Sequence, residues 1–251
     1  MTPDEIIANL ALPPDARVDQ RVPKKLFLEQ GAPTAADKRI IQDGIEEVQW
    51  VAALKPINIG VPAFKDDSRE YLEIAILSAS LRPAAKEARL VELIHRAIPY
   101  PLLLVSGHAA SLSVSAAHKR ASLGEGGKTV LGDAITTIRL DDGPAEHETA
   151  FRASLRLADQ PKENLFALYQ GWIDRLQALA AARLTGRYVL NNTASEAAER
   201  RAALADHARI AREIVGLRAK AAKETQINRR VDLNLAIQRL EAELSAATRK
   251  L

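Results

Sequence analysis

Apolar positions along this chain follow two regimes. Up to about residue 140, short apolar runs alternate with proline and glycine; beyond it, apolar residues recur every three or four positions. Asp4 to Leu10 carries a short helical pattern, and the Pro-rich, polar stretch from Leu12 to Pro23 reads as a connector. Lys24 and Lys25 then precede Leu26, Phe27 and Leu28. Thr34 suits a helix N-cap, with Asp37 three residues on. Ile41, Ile45, Val48 and Ala52, with Ile40 and Trp50, predict a helix running to about Leu54, where Pro56 blocks it. Ile57 to Val61 is expected to be a short strand. Glu70 to Leu81 is expected to be a longer one, through the alternation of Leu72, Ile74 and Ile76. Lys86 to Ile98 has helical spacing (Leu90, Leu93 or Ile94, Ala97). Pro101 to Ser106 reads as a buried strand, and Gly107 as a turn. Leu112, Val114 and Ala116 alternate in a further strand. Gly124, Gly126 and Gly127 mark a loop, and Thr129 to Leu140 is the last predicted strand.

From Pro144 the pattern is helical. Ala145 to Ala158 forms one segment; Asn164 caps a second, with Leu165, Leu168, Trp172, Leu176 and Leu179 on one stripe and Gly186 at its end. From Thr193 to Leu251 there is no proline and a single glycine, Gly216, which is a possible break. Ile210, Ile214, Leu217 and Ala221 fall on one stripe. Val231 and Leu235 start a second, and Leu233, Ile237, Leu240, Leu244, Ala247 and Leu251 a third. A long helix with such stripes needs a partner, in the same chain or another. The expected fold is α+β: a small, mainly antiparallel sheet packed with helices, followed by a long C-terminal helical, coiled-coil arm. The expected divisions are 1–21 (N-terminal helix and connector), 22–141 (α+β domain), 142–192 (helical region) and 193–251 (C-terminal coiled-coil helix).

Composition narrows the classes. The 251 residues are 47% hydrophobic and 27% charged, an ordinary globular balance. Aromatics, at 4%, are too sparse for a base-stacking surface. Without cysteine there is no disulfide framework, thiolate metal site or cysteine nucleophile. The N-terminal residues do not read as a secretory signal, and the apolar runs are too short to span a bilayer, so a cytoplasmic location is expected. Net charge is +3, but from Thr193 onward twelve Lys/Arg stand against eight Asp/Glu. The excess gathers at Arg218, Lys220, Lys223, Arg229 and Arg230. Such a run is either a solvated helix face or an electrostatic footprint for phosphates.

Catalytic motifs do not assemble. Gly127-Lys128-Thr129 resembles the end of a phosphate-binding loop, but the first required glycine is Ser122 and a strand pattern follows, so a hairpin loop is the reading. His147-Glu148 lacks the second histidine of a zinc helix, since Phe151 stands there. His95, His108, His118, His147 and His207 are scattered, so neither a metal nor another cofactor is expected. A cryptic Mg²⁺-dependent nuclease would have to draw on acids such as Asp43 or Glu73. Lys119 and Arg120, beside His118, either keep a strand end soluble or meet a phosphate backbone. Tyr169, Trp172 and Tyr188 read as packing residues. Gln226, Asn228 and Asn234 interrupt the apolar seam, where a polar residue fixes register or partner choice.

Four blocks carry a family likeness: KKLFLEQGAPTAADKRIIQDGIEEVQW, IHRAIPYPLLLV, ALYQGWIDRLQALAAARLTGRY and KETQINRRVDLNLAIQRLEAEL. In these the chain resembles the bacterial family of domain of unknown function 4391, from about Pro23 to the C-terminus. The resemblance implies a setting beside DNA methyltransferase and helicase genes in restriction–modification-like, anti-phage clusters; it supplies no catalytic motif. The expectation is therefore a non-catalytic accessory subunit of a DNA-modifying or defence complex. It would dock on a helicase or methyltransferase, or form a homodimer, through Ile214, Leu217, Asn228, Val231, Asn234, Leu235, Ile237, Leu240 and Leu244. The alternatives are a sequence-nonspecific DNA-binding factor using Lys119, Arg120, Arg218, Lys220, Lys223, Arg229 and Arg230, and the cryptic nuclease.

Overall fold

Two compact units make up the chain in the computed structural model, residues 1–176 and 177–251. The structure describes residues 2–83, 85–108, 111–122, 124, 129–140, 145–191 and 193–251. The expected α+β class holds: a mainly antiparallel sheet, helices and a C-terminal helical region.

In the first unit, α1 (Pro3–Asn9) starts from a Thr2/Glu5 capping box. A short 3-10 turn (Pro14–Ala16) and edge strand β1 (Arg17–Arg21) occupy the expected connector. Next come α2 (Lys24–Gln30), α3 (Ala35–Gly44) and β2 (Ile45–Leu54). The helix expected to reach Leu54 therefore ends ten residues early, although Thr34 does cap it, accepting from Asp37 N. Two register shifts along β2 explain the misreading. Each bulge inserts a residue, so Ile45, Val48 and Trp50 share the face of Leu77 and Leu81, while Ala52 and Leu54 turn to the face of Ile74 and Ile76. The buried positions 45, 48 and 52 then continue from Ile41 at a spacing that mimics a helix.

The strand expected at 57–61 is instead a helical turn, α4 (Pro56–Ile59). Pro56 sits at its first position, where the missing N–H costs nothing, and Gly60 closes it in the left-handed conformation (φ 68°). The strand expected at 70–81 is two: β4 (Glu70–Tyr71), paired with β3 (Phe64–Lys65), and β5 (Ile74–Leu81). Leu72 lies between them and is 53% exposed rather than inside. After α5 (Glu87–Ala97) come β6 (Leu102–His108) and β7 (Ser111–Ala117). Gly107 lies within β6 rather than in the turn. The final strand is also divided, since β8 (Lys119–Ala121) pairs with β9 (Thr129–Leu131) and β10 (Thr136–Arg139) pairs with β7.

The main sheet has six strands in the order β1-β2-β5-β6-β7-β10. Only β5 and β6 are parallel, joined by the α5 crossover. Leu77, Ala79 and Leu81 of β5 and Leu102 and Leu104 of β6 pack on Phe27, Ile41, Leu90, Leu93 and Ile94 from α2, α3 and α5. Alternation turns Ile74, Ile76, Leu103 and Val105 to the opposite face, where α1 lies over β6. Helix α6 (Ala145–Ser154) and the first part of α7 (Leu165–Thr185) complete this unit. Asn164 Oδ1 accepts from Ala167 N at 2.9 Å, the expected cap. The expected boundary near 141–145 falls largely on residues outside the described ones.

The second unit comprises the end of α7, α8 (Ala194–Lys223) and α9 (Ile227–Thr248). Gly186 follows α7 at φ 76°, and Thr193 opens α8 through a capping box with Glu196. The C-terminal arm, whose stripes call for a partner in the same chain or another, is a helical hairpin. It is broken at 224–226, not at Gly216, which lies inside α8.

Candidate functional site

The hairpin sorts the predicted seam into two sets. Ile210 and Ile214 of α8 and Ile237 and Ala247 of α9 form a buried cluster, with Leu217, Ala221, Leu240 and Leu244 packed against it. Arg218 Nη2 meets Glu241 Oε1 across the pair at 2.7 Å. Ile214, Leu217, Ile237, Leu240 and Leu244, expected to hold a separate partner, thus close the chain on itself. The reason is the three-residue link, which lets α9 turn back and cover the α8 stripe. Val231 and Leu235 each lie nine residues before a seam residue (Leu240 and Leu244), about 180° around the helix. They point away from the seam and are 51% and 48% exposed, continuing a stripe from Ile227, itself 68% exposed. Asn228 and Asn234 are also exposed, so they do not set the register of the intrachain seam.

The basic residues at the hairpin tip are solvent-facing. Lys220, Lys223 and Arg229 share a hollow of about 560 Å³ with Glu224, Asp232 and Leu233. Arg230 is exposed, and Arg218 is held by Glu241.

In the first unit, polar groups line the contact between α5 and the β6–β7 end of the sheet. Ser113 Oγ donates to Glu87 Oε1 at 2.6 Å, and His95 Nε2 and Ser115 Oγ lie 3.0 Å apart. Lys119 Nζ donates to the His95 carbonyl. That carbonyl belongs to the last turn of α5, so a buried lysine covers a helix end that would otherwise carry bare carbonyls. Burial pushes the Lys119 ammonium down to about 8, and burial with the nearby Lys119 charge holds the His95 imidazole down at about 3. Beside this column, α5, β7, β10 and the segment between β9 and β10 enclose a hollow of about 640 Å³. Glu87, Glu92, Asp133 and Arg139 are its charged lining residues.

A second buried chain begins at Tyr71, whose hydroxyl lies 2.5 Å from His118 Nδ1 and accepts from Lys119 N. His118 Nε2 lies 2.7 Å from Gln170 Oε1, and Gln170 Nε2 donates to Asp174 Oδ1. The Gln170 amide donating to a carboxylate leaves its oxygen facing His118, so Nε2 carries the proton and Nδ1 accepts from Tyr71. Phe166 stacks on His118 with centroids 4.7 Å apart. The Tyr169 hydroxyl bridges the strand backbones, donating to Leu102 O at 2.7 Å and accepting from Ala117 N at 2.9 Å. Burial raises both phenols above their ordinary range.

The profile of the family described as domain of unknown function (DUF4391) matches residues 10–244. The chain belongs to the DUF4391 family. No curated protein and no solved structure shows significant similarity to it.

Within this DUF4391 chain, several predicted positions change role. Lys119, assigned to phosphate contacts, is 2% exposed with its ammonium turned inward, so it cannot reach a nucleic-acid backbone. The strand alternation that carries Ser113, Ser115 and Ala117 toward α5 takes Lys119 the same way. Its neighbour Arg120 remains partly exposed. Asp43 and Glu73 do not meet: Asp43 precedes β2, whose start pairs with the end of β5, and Glu73 precedes the start of β5. The length of the ladder separates them, and Glu73 ion-pairs with Lys55 at 3.2 Å. Gly127 and Lys128 lie outside the described residues, and Thr129 begins a strand rather than a helix. Among the described residues, no group of three or more His, Asp or Glu side chains is placed to hold a metal ion. No helix of the described residues is long and apolar enough to cross a membrane. Sequence reasoning missed the α5–β7 column, although its signal is present: SLSVSAA places Ser111, Ser113 and Ser115 on one strand face.

Proposed function

We propose that this DUF4391 chain is a non-catalytic accessory subunit of a DNA-modifying or anti-phage defence complex, and that it docks through the outer face of α9. The observation carrying this reading is the stripe Ile227, Val231 and Leu235, which stays in water after the hairpin has closed its own seam. Asn228 and Asn234 border that stripe and can supply amide hydrogen bonds that select a partner and a register. A helicase or DNA methyltransferase as the partner follows from the family resemblance alone. The test is a pull-down of tagged protein from its host, with and without nuclease. A helicase or methyltransferase retained after nuclease, and lost with Leu235→Glu, supports docking. Recovery unaffected by Leu235→Glu removes the α9 face from the proposal.

The second reading is sequence-nonspecific DNA binding, favoured by the exposed cluster Lys220, Lys223, Arg229 and Arg230 at the hairpin tip. Phosphate contacts make affinity fall steeply with salt. Absence of duplex binding even at low salt excludes it.

A further inference from the structure

We infer that the first unit carries a phosphate-binding site between the end of α5 and the β8–β9 hairpin, built on Arg96 and Arg120. Gln30 at the end of α2, Arg96 in the last turn of α5, Arg120 on β8 and Thr129 on β9 line a hollow of about 590 Å³, with Ser122 at its rim. Of the described lining residues, the charged ones are both arginines, and the other polar side chains are an amide and two hydroxyls, all able to donate.

Each guanidinium is held but not used up. Arg96 Nη2 meets Glu92 Oε1 at 2.7 Å, and Arg120 Nη1 donates to the Ala121 carbonyl at 3.2 Å. A guanidinium has five N–H donors, so both keep donors for a planar or tetrahedral oxyanion. Helix C-termini repel anions. At α5 this repulsion is offset, because the buried Lys119 ammonium takes the His95 carbonyl immediately before Arg96. The lysine thus changes the local potential without itself touching the ligand.

The hollow falls within the range of small-ligand sites, about 300–1,000 Å³. Its described lining contains no aromatic ring, so the site is built for the phosphate and not for a base. The same chemistry fits a free phosphate compound or a nucleic-acid backbone, and titrations separate these sources. Inorganic phosphate, pyrophosphate and AMP are titrated by calorimetry, and a labelled DNA duplex by fluorescence anisotropy across a salt series. The protein is the full chain, compared with Arg96→Gln, Arg120→Gln and the double variant, each checked for native circular dichroism. A Lys220→Gln/Lys223→Gln/Arg229→Gln variant controls for the hairpin tip.

The expected result is binding of at least one probe, weakened about tenfold or more by the double variant and retained by the tip variant. Capture of the small phosphates identifies a free ligand. Capture of duplex only identifies a backbone, and each arginine lost then lowers the salt slope by about 1. Binding that survives the double variant, or no binding of any probe at low salt, overturns the site. Neither result bears on docking by α9, which is read from pull-down alone.

Discussion

The two units spend their apolar residues differently. In the first, β7 is buried at every position and β6 at all but its last, and side chains as polar as His95 and Lys119 are enclosed there with hydrogen-bond partners. In the second, α8 and α9 are held by a buried cluster of four residues, while Val215 and Ile227 stay 66% and 68% exposed. The strands of the sheet unit have buried most of their apolar residues. The large apolar side chains which that unit leaves most in water, Ile57 and Leu72 at 93% and 53% exposed, stand singly in the turns beside the strands and form no helical stripe. The hairpin has used one stripe for folding and kept another in water. A helix that is apolar beyond what its own hairpin needs is a place to look for a partner.

The contrast breaks most sharply at the core. Leu104→Ala, fully buried on β6, is expected to cost about 2–5 kcal/mol and to lower the unfolding midpoint of the whole first unit. Urea titration followed by circular dichroism measures it; a loss below that range would mean the sheet core is less tightly packed than its burial indicates. Acid comes next. His95 is held at about 3 when folded, against 6.5 ordinarily, so between those values the unfolded chain takes up a proton that the folded one refuses. Stability therefore falls as pH drops from about 6.5 toward 3, by at most about 1.4 kcal/mol per pH unit for one proton. Asp37, held down at about 2 by its bonds to Arg89 and Thr34, acts in the same direction: its contribution is present above 3.8 and lost toward 2. Urea unfolding at several pH values should show a shallower acid slope for His95→Leu than for wild type. An unchanged slope would place the proton uptake elsewhere.

A smaller loss is expected in the hairpin. Ile237→Ala removes a residue whose neighbours Leu240 and Leu244 are themselves only partly buried, so the cost should sit near about 1–2 kcal/mol, below the usual core range. It should also stay local. Amide exchange should speed up in α8 and α9 and remain unchanged in β5 and β6. Acceleration in the strands would show that the two units unfold as one.

What could be read beforehand follows the same division. Helix caps at Thr34 and Asn164, the stop at Gly186 and the α5 stripe were legible because local chemistry decides them. Strand β2 was not, because its bulges bury Ile45, Val48 and Ala52 at a spacing that continues from Ile41 as a helix would. β1 was hidden by its polar composition: RVDQR is an edge strand exposed at every position but Val18, and it looks like a connector. The stripes on α8 and α9 were visible, but their assignment was not. Whether Leu240 meets its own chain or another depends on a reversal at 224–226, a segment without proline or glycine. The α5–β7 column, the Tyr71–His118 pair and the hollow at Arg96 and Arg120 each join residues far apart in sequence, so only the topology brings them together.

The smallest stability effect carries the most functional weight. Val231 and Leu235 lie on the face of α9 away from the Ile237 seam and are about half exposed. Replacing both by Gln keeps helix propensity and leaves the seam untouched, so stability should change by no more than about 0.5 kcal/mol per site. Leu240→Gln on the same helix strikes the seam instead and should loosen the hairpin. The pair therefore separates docking from folding. If Val231→Gln/Leu235→Gln abolishes partner recovery while thermal unfolding and amide exchange match wild type, the exposed stripe is a contact surface. If recovery is lost only when Leu240→Gln opens the hairpin, the partner reads the hairpin's shape and the outer stripe is incidental. If the double variant itself melts the hairpin, the stripe is already covered within the folded protein in solution, and the contrast between the two units fails.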